Sequence, residues 1–138
     1  MYHRSELAMK LFSLENELDR FDLLTDAAFA AARFPEEYKT EENRLLSCET
    51  RTWYRLGFDG RINLTVESDS LFVKGLCAVL ADIAKKITPR DIGAFDTGSS
   101  IGFADACFAK GVIDAERRKG LSSLEEKITE YAKEVYEK

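Results

Sequence analysis

The feature that most restricts this chain is a change of hydrophobic period at its middle. Tyr54, Leu56 and Phe58 alternate with polar or small residues, Ile62, Leu64 and Val66 do the same, and Asp59-Gly60 lies between the two runs. Alternation of period two marks half-buried strands. Asp-Gly between two such runs marks a hairpin, whose type I′ turn needs positive φ at both central positions. Strands are predicted at about 51–58 and 61–67. A lone two-stranded ribbon is marginal in water, so its apolar face must be covered by helices or by a further strand.

The flanks supply helices. Leu7, Leu11 and Leu14 recur at helical spacing, and Leu18, Phe21, Thr25, Ala28 and Ala32 continue the period over about 15–34, until Pro35 ends it. After the hairpin, Ser68-Asp69-Ser70 offers helix caps. Residues 71–87 are then almost continuously apolar, broken only by Lys74, Asp82, Lys85 and Lys86, which reads as a central buried helix. Gly75 within it lowers helix propensity, and its lack of a side chain allows close approach of another element. Thr88-Pro89 restarts the chain as cap and first helical position, giving a short turn over 90–95. A short helix follows at about 101–110. The last helix, about 115–136, carries Leu121, Leu124, Ile128, Tyr131 and Val135 on one face and a solvated Glu/Lys surface on the other. Helices, a small antiparallel sheet, then helices is an α+β layout. With 138 residues and no linker or repeat, the expectation is one domain over 1–138.

Composition narrows the chemistry. A net charge of −5 argues against nucleic-acid binding. No apolar run approaches the roughly 20 residues a membrane helix needs, and the first residues lack an apolar secretory stretch. The one histidine, His3, lies near the terminus, which argues against hydrolase triads and histidine-rich metal sites. The three cysteines, Cys48, Cys77 and Cys107, are odd in number, widely spaced and without a CxxC pair. That argues against a disulfide framework and a cysteine zinc site, and points to a reducing cytosol. A single thiol is the leading candidate for any covalent chemistry. Cys77 on the apolar central helix and Cys107 in Ala104–Phe108 read as packing residues.

Four blocks then resemble one family in the right order. The segment Glu41-Glu42-Asn43-Arg44-Leu45-Leu46-Ser47-Cys48-Glu49-Thr50-Arg51-Thr52-Trp53 resembles the cysteine segment of SufE proteins. Asp69-Ser70-Leu71-Phe72-Val73-Lys74-Gly75-Leu76 is similar to their Asp-x-x-x-Val-Lys-Gly-Leu helix start, and Ile87-Thr88-Pro89-Arg90-Asp91-Ile92 to their Thr-Pro-x-x-Ile turn. Arg117-Arg118-Lys119-Gly120-Leu121 resembles the start of their last helix. The chain departs from the pattern at Ser47, where the family has glycine, at Glu49 and Thr50, and in lacking a His-Leu-x-Pro-Ser stretch before Arg117.

The resemblance implies a SufE/IscU-like fold with a sheet of about three strands, the extra one at about Arg44–Leu46. It implies that Cys48, on a loop before a strand, accepts persulfide sulfur from a SufS-type cysteine desulfurase, stimulates it, and passes sulfur to Fe–S scaffold proteins. The expected protein is cytoplasmic, has no cofactor or metal of its own beyond the transient persulfide, and binds neither nucleic acid nor membrane. Pyridoxal phosphate belongs to the desulfurase. The resemblance thus implies a persulfide-carrying activator more than a stand-alone enzyme.

The thiolate is the attacking form of cysteine. Positive charge at Arg44 and Arg51, which flank Cys48, favours a sulfur anion, and Glu49 opposes it. Arg117 matches the family's arginine, and its expected role is to hold the loop, to contact the desulfurase, or simply to sit on the surface. Two other readings compete. One is a non-catalytic binding module that docks a desulfurase or another protein on the same fold. The other is a cluster scaffold, which lacks suitable ligands near Cys48.

Overall fold

The computed structural model describes residues 2–93 and 101–137. After a short 3-10 turn come helices α1 (Glu6–Ser13) and α2 (Glu17–Ala30), then strands β1 (Thr52–Phe58) and β2 (Ile62–Ser68). Helices α3 (Leu71–Lys86), α4 (Pro89–Gly93), α5 (Phe103–Ala109) and α6 (Ala115–Glu137) complete the order. Each helix start has a chemical reason. The hydroxyls of Ser5 and Ser70 accept the N–H groups of Ala8 and Val73, and the Asn16 amide oxygen accepts that of Asp19. Thr88 receives the Asp91 N–H at 3.2 Å. The last two positions of the turn predicted at 90–95 lie outside the described residues.

The α+β class holds, but the sheet has two strands where about three were expected. β1 and β2 pair antiparallel from Thr52↔Ser68 to Phe58↔Ile62. The segment at Arg44–Leu46 contributes one antiparallel bridge, Arg44↔Trp53, with the Leu45 N–H donating to the Thr52 carbonyl at 2.8 Å. It stops there because the chain turns at once into the cysteine loop, where the Cys48 N–H reaches back to the Leu45 carbonyl. The hairpin connection also differs from expectation. Phe58↔Ile62 pairing leaves three residues, Asp59-Gly60-Arg61, and only Gly60 takes positive φ, at 98°. A third residue removes the need to force Asp59 into the left-handed region.

Ile62, Leu64 and Val66 bury one face of the ribbon while Asn63 is exposed. That face packs on α3, which α2 also crosses. Gly75 is the crossing point: a Cβ there would overlap the carbonyl of Leu24. The buried face of α2 is Leu24, Ala27 and Ala28, whereas Leu18 and Phe21 are 69% and 45% exposed. The helix ends at Ala30, short of the end at about 34 expected from Pro35, because the chain already turns extended at Ala31. Val79, Leu80 and Ile83 from α3 join Leu11, Phe103, Leu124 and Ile128 in one core. Each such side chain stabilises the fold by roughly 1.5–3 kcal/mol. No described helix is long and apolar enough to cross a membrane.

Candidate functional site

Cys48 lies in the loop between the Arg44 bridge and β1. It is half-buried, whereas Cys77 and Cys107 are 2% and 0% exposed. The preceding Leu46 is 79% exposed, so the tip of the loop faces outward while Cys48 itself packs against the core. The wall behind the cysteine is α6. A Cβ on Gly120 would sit 3.4 Å from the Cys48 Cβ and 3.5 Å from the Ser47 carbonyl oxygen. Glycine therefore lets the loop lie directly on the helix.

Thr52, buried at the start of β1, ties the loop to the sheet. Its Oγ1 lies 3.6 Å from the Cys48 sulfur, 3.0 Å from the Thr50 carbonyl and 3.0 Å from the Ser68 hydroxyl. Ser68 Oγ in turn accepts the Ser70 N–H, which joins the loop to the cap of α3. Ser47 Oγ is buried and has no hydrogen-bond partner among the described residues. Neither Thr52 nor Ser47 was singled out as a site residue in the sequence. The only signal was Ser47 standing where the family has glycine.

The arginines near Cys48 in sequence are each engaged by a carboxylate. Arg44 pairs with Glu41 at 3.3 Å, and Arg51 with Asp69 at 2.7 Å while lying 5.6 Å from the Trp53 ring centre. Asp69, read as a cap, serves that ion pair, and Ser70 caps α3. Arg117 pairs with Asp114, whose carboxylate also accepts the Arg117 N–H at the start of α6. Its guanidinium lies 5.2 Å from the centre of the Phe72 ring. Lys74 is held by Glu67 at 3.2 Å. Trp53 is 9% exposed and anchors the start of the strand.

Arg117 and Gly120 are three residues apart on α6 and so share a face. Beside them is a groove of about 600 Å³ lined by Leu18, Phe21, Phe72, Val112 and Arg117, among others. Phe21 stacks on Phe72 with ring centres 6.4 Å apart. The exposed start of α2 thus contributes Leu18 and Phe21 to a surface that also carries Arg20, Arg117 and Glu17, one helical turn along α6 from the cysteine. Burial, with a smaller contribution from the nearby Cys48, pushes the Cys77 thiol up to about 12. Burial and then Glu125 push Cys107 up to about 12. Both are held as neutral thiols. Among the described residues no three His, Cys, Asp or Glu side chains are grouped to hold a metal ion.

Residues 5–132 match SufE, described as an Fe-S metabolism associated domain. The chain is 31% identical over 93 residues to a chloroplastic quinolinate synthase of Arabidopsis thaliana, a match covering 66% of this chain and 13% of that relative. A chloroplastic quinolinate synthase of Nicotiana tabacum is 33% identical over 88 residues, covering 62% of this chain and 12% of its own length. The chain therefore spans only a small part of the curated relatives it matches. The solution structure of a hypothetical protein from Thermus thermophilus superposes with a TM-score of 0.73 at 16% identity. That match covers 97% of this chain and 98% of the other, and it shows a shared fold.

Proposed function

This chain belongs to the SufE family, a domain of Fe-S metabolism, and from that membership we propose that Cys48 accepts persulfide sulfur from a SufS-type cysteine desulfurase. The observation that carries this reading is the contrast among the three thiols. Cys48 alone is half-buried and on a loop, at the position the family motif gives its acceptor, while Cys77 and Cys107 are buried in helices.

The transfer is a thiol exchange. The Cys48 thiolate attacks the outer sulfur of the donor's persulfide, a new S–S bond forms, and the donor's S–S bond breaks. The donor cysteine leaves with the electron pair as a thiolate. One sulfur atom moves and nothing is oxidised overall. Cleared of its sulfur, the desulfurase turns over again, which is the sense in which this chain stimulates it. The sulfur then passes to an Fe–S scaffold protein by the same exchange. Pyridoxal phosphate acts in the desulfurase. This chain supplies a thiol, a loop and a docking surface. The exposed Leu46 and the Phe21–Phe72–Arg117 groove beside Gly120 suit the docking role, because aromatic and arginine side chains dominate protein interfaces.

The test is intact-mass measurement after incubation with desulfurase and cysteine. The expected result is a gain of one sulfur atom, abolished by Cys48→Ser and retained in Cys77→Ala and Cys107→Ala. Retention of the label in Cys48→Ser would overturn the assignment. No label at all, with the desulfurase still captured by both wild type and Cys48→Ala, would make the chain a docking module instead.

A further inference from the structure

We propose that Ser47 is a positioning residue that donates a hydrogen bond to the outer sulfur of a Cys48 persulfide, and so sets how long the sulfur is held. The proposal rests on the reading of Cys48 as a persulfide carrier and adds a residue to it. Its first ground is an unexplained group. Ser47 Oγ is fully buried with no partner among the described residues. Buried hydroxyls are nearly always bonded, because water is lost and nothing replaces it. Among the described residues the other such atom is Thr25 Oγ1, in the middle of α2. Ser47 lies instead in the turn that ends on the candidate acceptor, closed by the Cys48 N–H to the Leu45 carbonyl at 3.4 Å.

The second ground is the shared wall. The Ser47 carbonyl and the Cys48 Cα and Cβ all lie within 3.4–3.5 Å of where a Gly120 Cβ would stand. The backbone of Ser47 and Cys48 is thus pressed against one face of α6, which fixes the turn that carries both side chains. The third ground is the supply of donors. Thr52 has one hydroxyl hydrogen and three acceptors around it: the Thr50 carbonyl, Ser68 Oγ and, furthest, the Cys48 sulfur. It is committed to the fold. A persulfide places a second sulfur about 2.05 Å beyond the first, carrying the negative charge when ionised. A charged acceptor makes the stronger hydrogen bond. The buried donor in this loop with no partner among the described residues is Ser47.

The experiment loads the full chain with desulfurase and cysteine, removes both, and follows loss of sulfur from Cys48 by intact mass in dithiothreitol. Ser47→Ala is expected to charge with sulfur but lose it about fivefold to tenfold faster, the factor one hydrogen bond supplies. Ser47→Thr is expected to restore the slow loss. Ser47→Ala is also expected to melt no lower than wild type, since it removes a buried polar group with no partner. Loss at the wild-type rate in Ser47→Ala overturns the proposal. So does faster loss that accompanies a lower melting temperature and is not rescued by threonine. Ser47→Gly is read in the same way if the alanine variant does not fold. A wild-type chain that never gains sulfur overturns the carrier reading itself, which is a separate failure.

Discussion

Gly120, near the start of α6, lies so close to Cys48 that a Cβ in its place would stand 3.4 Å from the Cβ of the cysteine. That is ordinary contact distance, so one methyl group fits and a larger side chain does not. Gly120→Ala is expected to fold, to gain up to about 1 kcal/mol of helix propensity, and to accept sulfur as wild type does. Gly120→Leu is expected to lift the Ser47–Cys48 segment off the helix and reduce sulfur acceptance at least tenfold while leaving helix content unchanged. Circular dichroism and intact-mass charging rates measured side by side check both.

Thr52 is the hub between the loop and the sheet. Thr52→Val keeps the shape but leaves the Thr50 carbonyl and the Ser68 hydroxyl short of a partner. A loss of about 1–3 kcal/mol is expected, together with slower sulfur acceptance, because the sulfur loses its neighbouring hydroxyl. Thr52→Ser, which retains the oxygen, is expected to recover most of the acceptance rate. Urea unfolding and charging kinetics separate the two effects.

The parts of the fold that local chemistry dictates were legible in the sequence. The alternation around Asp59-Gly60 located both strands, the apolar run at 71–87 located α3, and Gly75 pointed to close approach of another element, which the fold shows to be α2. What local pattern cannot give is which partner a residue meets. The period through Leu18 and Phe21 is helical, yet those two side chains line an open groove while Leu24, Ala27 and Ala28 face the core. A helical stripe has no sign that tells core from cleft. In the same way Arg44, Arg51 and Arg117 are near Cys48 by sequence or motif, but their ion pairs are with Glu41, Asp69 and Asp114. The Glu41–Arg44 and Asp114–Arg117 pairs are three residues apart and stand in the spacing, whereas Arg51–Asp69 needs the Thr52↔Ser68 register to bring it together. Gly120 as the wall of the site required the tertiary fold, because more than 70 residues separate it from Cys48.

The α2–α3 crossing leaves no slack at Gly75. The obstacle to a Cβ is the backbone carbonyl of Leu24, not a side chain that can change rotamer. Overpacking costs about 1–3 kcal/mol where neighbours can adjust, so Gly75→Ala is expected to destabilise by at least the upper part of that range, despite alanine's better helix propensity. A melting-temperature drop of only a degree or two would show that the helices separate more easily than their contact implies.

Cys77 and Cys107 give the chain a defined weakness in alkali. Burial raises both thiols from an ordinary 9.0 to about 12. Above pH 9 the unfolded chain releases these protons while the folded chain keeps them, so the unfolded state binds fewer protons and stability falls as pH rises. The contribution is fully present below pH 9 and is lost on the way to about pH 12. At pH 10 the expected loss is about 1 kcal/mol per thiol. Urea unfolding at pH 8 and pH 10 measures it, with the Cys77→Ala, Cys107→Ala double variant as control. The cavities left by alanine lower stability at both pH values alike, so the difference between the two pH values isolates the titration. The double variant is expected to lose less stability on going to pH 10 than the wild type. Equal losses would mean that the two thiols ionise as readily in the folded chain as in the unfolded one.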